Sequence, residues 1–274
     1  MNPITFFKAS GSGNDFIIID NRNKVVDEKN LSDFIAKVCR RKMSVGADGF
    51  ILIENSDTVD FKWRFYNSDG SRVEMCGNGA RCAARFAYIN GIAGTRMSFE
   101  TDAGVISAQI TDHRVKIGMT DPLDMRMDYT IRLKGGPLTV SSINTGVPHV
   151  VIEVKDIDPV DVFGLGREIR FHPTYAPAGT NVNFVSLRND GILINRTYER
   201  GVEDETLACG TGSVAAALIT AYKFNNPSPV NVLTRSGEYL TVHFMKENDQ
   251  FSGIHLEGNA RMIYKGDLWE DAYR

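Results

Sequence analysis

No apolar run in this chain approaches the ~20 residues that a membrane-spanning helix needs. No long basic run is present either, so neither a nucleic acid nor an anionic membrane is expected as a partner. The formal net charge is only −3 over 274 residues. The first residues, "MNPITFFKASGSG", lack a charged segment followed by a long apolar core, so no secretory leader is expected. Cysteine is scarce: Cys39, Cys76, Cys82 and Cys209 are too few for a disulfide scaffold, and a reducing cytoplasm is the expected setting. C-x-x-C pairs are absent. A zinc site would want a C-x2-C or C-x4-C pair with a second pair or histidines, and the C-x5-C of Cys76 and Cys82 with a distant Cys209 does not supply it. "GSGNDF" lacks the third glycine of a dinucleotide fingerprint, and no phosphate-loop signature occurs. No cofactor and no metal are therefore expected.

What is present is a long repeat. Gly13 and Gly146 are separated by 133 positions, as are Gly46 and Gly179, Cys76 and Cys209, Gly77 and Gly210, Gly79 and Gly212, and Gly104 and Gly237. The surroundings agree in chemistry: "GNDFIIID" faces "GVPHVVIE", and "RFYNSDG" faces "RTYERG" with one residue of slippage. In the first copy the β-branched and aromatic runs predict strands over 4–8, 15–20, 49–54, 60–66, 96–101, 104–111 and 114–119. Helical spacing of Leu31, Phe34, Ile35 and Val38 predicts a helix over about 31–42, and the alanine-rich run predicts another over about 77–90. The segment "GMTDPLDMRMDYTIRLKGG", with Pro122 and its charges, reads as a linker between the copies. The expected fold class is α+β, as two pseudo-symmetric domains over residues 1–122 and 123–274. The last ~12 residues are expected to pack back on the first half. Each domain would wrap a mixed or antiparallel sheet around its apolar helix, with the active site in the cleft between them.

The two strings "EMCGNGARCAARFAYINGIAG" and "LACGTGSVAAALITAYKF" each put a cysteine before a Gly-x-Gly that opens a helix. The first N–H groups of a helix lack partners within it, and the helix dipole is positive there. Glycines let a ligand come close, so each start is a cradle for a carboxylate. A cysteine at that place has its thiolate stabilised. A lone cysteine at a helix start is ordinarily a packed small residue. Its recurrence in both copies favours chemistry: Cys76 and Cys209 can act on opposite faces of one carbon, one removing a proton and the other delivering one. Cys39 and Cys82 fall inside apolar helical patterns and read as core. Two alternatives stand beside this reading: another cofactor-independent racemase or isomerase of the same two-domain plan acting on a different amino acid, and a redox-sensing or ligand-binding protein that uses Cys76 and Cys209 as a switchable disulfide.

At these residues the chain resembles a known family. "SGSGNDF", "FYNSDGSRVEMCGNGARC", "TGVPH", "GTNVNFV" and "YERGVEDETLACGTGSVAAA" are similar, in order and over nearly the whole length, to the diaminopimelate epimerases. These are amino-acid epimerases that work without pyridoxal phosphate. Proline racemases and hydroxyproline epimerases share the two-cysteine plan but usually carry a histidine where Asn78 stands. The resemblance implies that Cys76 and Cys209 are the acid–base pair. It implies further that Asn14, Asn67, Gly77, Asn78, Asn181, Glu199, Arg200, Gly210 and Thr211 hold the substrate. By the same resemblance, His149 and Glu199 tune the sulfurs. It implies interconversion of LL- and meso-diaminopimelate in lysine and peptidoglycan precursor synthesis, by a cytoplasmic enzyme, often a homodimer, that closes on its substrate. Val147 stands where many members carry asparagine, and Gly49 where some carry glutamine. Backbone, Asn144 or water is left for those contacts.

Overall fold

The computed structural model describes residues 3–274. The chain divides into two compact units, one running to Ile117 and resuming over Gly258–Arg274, the other Gly118–Glu257. The sequence reading places the division at 122/123; in the structure it falls at 117/118, and the chain returns to the first unit from Gly258 on.

In the first unit the strands are β1 (Ile4–Gly11), β2 (Asn14–Asp20), β3 (Gly49–Glu54), β4 (Phe61–Asn67), the short β5 (Arg72–Val73), β6 (Arg96–Thr101), β7 (Gly104–Thr111) and β8 (Arg114–Gly118). Helix α1 (Leu31–Val38) lies between β2 and β3, and α2 (Gly77–Ile89) between β5 and β6. β1 pairs antiparallel with β2, β2 parallel with β3, and β3 antiparallel with β4. β4 runs parallel to β6.

The second unit repeats this ladder. Its elements are β9 (Leu123–Leu133), β10 (Gly136–Asn144), β11 (Pro148–Glu153), α3 (Val162–Arg170), β12 (Asn181–Leu187), β13 (Leu193–Glu199), β14 (Asp204–Thr206), α4 (Gly210–Phe224), β15 (Val230–Leu233), β16 (Tyr239–Glu247) and β17 (Gln250–Asn259). β10 pairs antiparallel with β11, β11 parallel with β12, β12 antiparallel with β13, and β13 parallel with β15. The last strand, β18 (Arg261–Leu268), pairs antiparallel with β1, just as β9 does with β10.

That equivalence corrects the linker reading. Residues 118–136 are not a plain connection: β9 takes eleven of them and is the counterpart of β18. Pro122 sits just before the strand, where a missing N–H costs the ladder nothing. The alternation of exposed and half-buried residues along "LDMRMDYTIRL" fits a strand with one covered face. Charge at the exposed positions hid the period.

Each central strand is apolar on both faces because helices cover both. In the first unit Ile17, Ile19, Phe50 and Leu52 pack with Leu31, Ile35 and Val38 of α1. The alternate residues Phe16, Ile18, Ile51 and Phe65 face the other way and are also buried. In the second unit Val150, Ile152, Val182, Phe184 and Tyr198 pack with Val162 and Ile169 of α3. Ten consecutive residues of α4, Gly212–Ala221, are buried, as a helix wrapped by a sheet requires. Helix α1 stops at Val38 rather than near residue 42. The N–H groups of Gly46 and Ala47 return to cap the carbonyls of Val38 and Cys39 at 3.0 and 3.1 Å, which closes the turn.

Candidate active site

Both cysteine-bearing helices begin where the sequence places them. Cys76 is the N-cap of α2 with extended backbone, and its carbonyl accepts the Ala80 N–H at 2.8 Å. Cys209 is the N-cap of α4, also extended, and its carbonyl accepts the Ser213 N–H at 2.9 Å. In each case the sulfur stands at the positive end of a long buried helix.

In the first unit the Cys76 thiol donates to the Asn14 side-chain carbonyl at 3.7 Å. The Asn14 orientation is forced, because its amide nitrogen donates to the Asp48 carboxylate at 2.8 Å, and a carboxylate can only accept. Asp48 is tied to Arg41, which also binds Asp15, and Asp15 meets the Lys8 ammonium at 2.7 Å. Burial alone would raise the Asp15 carboxyl. Lys8 and Arg41 outweigh it and hold it at about 2. Asn78 is buried, and its carbonyl oxygen accepts from Arg81 at 2.8 Å. Arg81, fully buried, also donates to the Ser12 hydroxyl at 3.1 Å and to the Gly77 carbonyl at 3.4 Å. A cation thus fastens the first turn of α2 from within, a role the sequence reading does not give Arg81. Asn67 is exposed at the end of β4, its amide donating to the Ser71 hydroxyl at 3.2 Å.

In the second unit Cys209 lies 3.5 Å from the Thr211 hydroxyl. The Thr211 carbonyl accepts from Thr145 at 3.0 Å. Gly210 and Thr211 open α4 and present its first N–H groups. His149 on β11 is buried, and its Nδ1 faces the Asn183 amide nitrogen at 3.1 Å. Burial, with the Arg200 guanidinium adding to it, pushes His149 down to about 3, so the ring is neutral. Burial raises the Glu199 carboxyl. Asn181 spans two backbone groups: its nitrogen donates to the Pro148 carbonyl at 3.1 Å, and its oxygen accepts the Arg200 N–H at 2.9 Å. Arg200 itself donates to the Ala178 carbonyl at 3.2 Å, which leaves most of its guanidinium fork for another acceptor. A cavity of about 330 Å³ in this unit is lined by Asn144, Pro148, His149, Gly179 and Thr180, with Arg126 on its wall.

Of the two departures from the resembled pattern, Gly49 has a local reason, and nothing in the structure explains the valine at position 147. A Cβ at Gly49 would stand 2.6 Å from the Phe65 ring and 3.1 Å from Phe16, so aromatic packing fills the place of a side chain there. Val147 is half-buried, and its carbonyl accepts the Thr145 N–H at 3.2 Å, which shapes the turn before His149.

Gly212 is required by contact rather than by conformation. A Cβ there would lie 2.4 Å from the Asn183 side-chain oxygen and 3.2 Å from the Cys209 sulfur. We expect Gly212→Ala to lose about a hundredfold in turnover through displacement of Cys209. It should also lose about 1–3 kcal/mol of stability through overpacking. Parallel denaturant melts and rate measurements check both, and parent-like values would mean that Asn183 yields freely.

Comparison with known proteins gives the family. A family model described as diaminopimelate epimerase matches residues 6–125 and 141–263. The diaminopimelate epimerase of Aquifex aeolicus (strain VF5) is 48% identical over 277 residues, covering 97% of this chain and 98% of that protein. That of Hydrogenobaculum sp. (strain Y04AAS1) is 46% identical, covering 95% and 97%. Among solved structures, a phenazine biosynthesis protein of the PhzF family from Bacillus anthracis shares the fold. Its TM-score is 0.78 at 16% identity, covering 98% of this chain and 100% of that one. With both cysteine helices in place and the match running through both units, the chain belongs to the diaminopimelate epimerase family.

Proposed function

We propose that this isomerase interconverts LL- and meso-diaminopimelate by two-base proton transfer between Cys76 and Cys209, in lysine and peptidoglycan precursor synthesis. The observation that carries the mechanism is the repeated placement of a cysteine as the N-cap of a buried helix, once in each unit. One sulfur, as thiolate, takes the α-proton and becomes a thiol. The electron pair left on carbon spreads into the adjoining carboxylate. The other sulfur, as thiol, gives its proton to the opposite face and becomes the thiolate. Each of the two units supplies one sulfur, the first Cys76 and the second Cys209.

The first N–H groups at Gly77, Asn78, Gly210 and Thr211 hold the reacting carboxylate, whose charge grows in the transition state. Glu199 meets a substrate ammonium, which restores the ionised form that burial disfavours. Arg200 takes the distal carboxylate, and Asn14, Asn67 and Asn181 line the site around the amino groups. Domain closure would expel water and strengthen each of these terms. The chemistry needs no pyridoxal phosphate, metal or nicotinamide, because two acid–base sulfurs and two helix starts supply what it requires.

Among the described residues no helix is long and apolar enough to cross a membrane. We further propose a cytoplasmic homodimer. The reduced state that two working thiols demand supports the first part. Ile263 and Tyr264 on β18 and Trp269 just after it are exposed large apolar residues, which a subunit contact would cover.

The test is solvent deuterium at the α-carbon of LL-diaminopimelate, with reductant and a chelator and no added cofactor. We expect deuterium in the meso product. Turnover only after a metal or pyridoxal phosphate is added would overturn the mechanism. Exchange on another amino acid, with none on diaminopimelate, would overturn the substrate.

A further inference from the structure

Behind His149 the second unit buries a row of polar side chains that the proton transfers do not use. Asn183 of β12 lies directly across from Thr197 of β13, and Asn195 stands two residues along the same strand. All three are buried: Asn183 is 0% exposed, and Asn195 and Thr197 are 3% exposed. The Asn195 amide nitrogen donates to the Thr197 hydroxyl at 3.3 Å. The Thr197 hydroxyl donates to the Asn183 side-chain oxygen at 2.9 Å. The Asn183 nitrogen donates to the Val150 carbonyl at 3.0 Å and faces His149 Nδ1 at 3.1 Å.

The direction of this row is fixed by chemistry. A backbone carbonyl can only accept, so the Asn183 nitrogen must be the end that faces Val150, and that end also faces the imidazole. Nδ1 must then accept, and the ring proton of neutral His149 sits on Nε2. Among the described residues no protein group meets that Nε2, although His149 is only 1% exposed. An unmet buried donor beside a cavity is a group held ready for an acceptor that arrives.

The fold does not demand this row. In the first unit the pair Phe16–Gly49 occupies the register of His149–Asn181, and Ile51–Phe65 that of Asn183–Thr197. Ile53–Trp63 likewise corresponds to Val185–Asn195. The four polar positions are thus filled by Phe16, Ile51, Phe65 and Trp63. A Cβ on Gly79 would touch Trp63, Phe16 and Ile51, where one on Gly212 meets Asn183. The same chain builds an apolar version of this layer behind one cysteine helix and a polar version behind the other.

We propose that Asn183 and Thr197 are positioning residues that lock His149 in the Nε2–H tautomer, so that His149 donates a hydrogen bond to negative charge in the site and does not serve as a base. The purpose assigned to the donor rests on the proposed epimerisation; the tautomer does not.

The experiment uses full-length protein with ¹⁵N-labelled histidine. His149 is assigned among the five histidines by the signals that vanish in His149→Gln. Two-bond ¹⁵N–¹H correlations, which need no substrate, should show the Nε2–H form in the parent. Asn183→Asp places an acceptor against Nδ1 and should move the proton onto Nδ1. Asn183→Leu, which only removes the donor, should give a mixture of tautomers. In both, kcat on diaminopimelate should fall about tenfold to a hundredfold with KM changed less than about threefold, the size of effect typical of orienting partners. Thr197→Ser keeps the hydroxyl and should keep the parent spectrum and rate. An Nδ1–H signal in the parent, or an unchanged tautomer in both Asn183 variants, overturns the proposal. If the parent shows the Nε2–H form but does not epimerise diaminopimelate, the functional reading fails and the tautomer lock stands.

Discussion

Cys76→Ala and Cys209→Ala each lose at least about 10³–10⁴-fold in epimerisation, near the top of the range for a positioned acid–base group. Each removes one of the two groups that must act on opposite faces, and neither can stand in for the other from its own helix start. The fold should survive both changes. Only a sulfur is deleted, and Cys76 is half-buried at the edge of its helix rather than in the core. Cys209 is 7% exposed and sits at the N-cap, where its backbone carbonyl makes the helical bond and is unaffected. A stability loss of about 1 kcal/mol is expected for each. Serine is no rescue: its hydroxyl is a far weaker acid, so the serine variants should also be severely slow. Rates from α-proton exchange, with circular dichroism to verify folding, decide the matter. Near-normal turnover by a folded alanine variant would remove the two-base mechanism.

The parts of the site that carry a period or a repeat were legible in the sequence. Both cysteine helices start at the expected residues, Gly77 and Gly210, because glycine and alanine composition marks a buried helix and its approach. The internal repeat announced two similar mixed sheets. The polar row behind His149 was harder to see. Asn183 alternates with Val182 and Phe184 in "NVNFV", and Asn195 and Thr197 flank the charged Arg196 in "LINRTYE", so both segments read as ordinary half-exposed strands. Their burial in the structure, and the apolar Ile51, Trp63 and Phe65 at the same register of the first unit, show that those positions face inward. Arg81 was missed for a related reason. An arginine in a helix is read as exposed, and nothing local signals that its guanidinium turns back onto Asn78 and Ser12. Strand β9 was lost behind Pro122 and its charges, and the early end of α1 is set by backbone returning from residues 46 and 47. In each case the deciding partner lies far along the chain.

Arg200→Met should weaken diaminopimelate binding by orders of magnitude while both cysteines keep their reactivity toward a small thiol reagent. The guanidinium is partly buried and anchored through one donor to the Ala178 carbonyl, so it is held in place before a ligand arrives. Its main chain is fixed as well, by the Asn181 oxygen on its N–H. Pre-positioning of both ends lets the fork meet a carboxylate without first losing its own freedom. Removing it leaves the distal carboxylate of the substrate desolvated and unmatched, which costs several kcal/mol as an order of magnitude. Methionine keeps the length and apolar stem of the side chain, so the strand end should not collapse. A second effect follows from charge. The Arg200 guanidinium helps hold His149 below its ordinary range, so the variant lets His149 rise, though burial, the larger cause, keeps it depressed. Calorimetry with the substrate and thiol labelling on the same preparation separate the two sites of action. If Arg200→Met binds diaminopimelate as tightly as the parent, the distal head has another anchor. Asn144, whose oxygen accepts the Gly146 N–H at 3.0 Å, would then be the first residue to test.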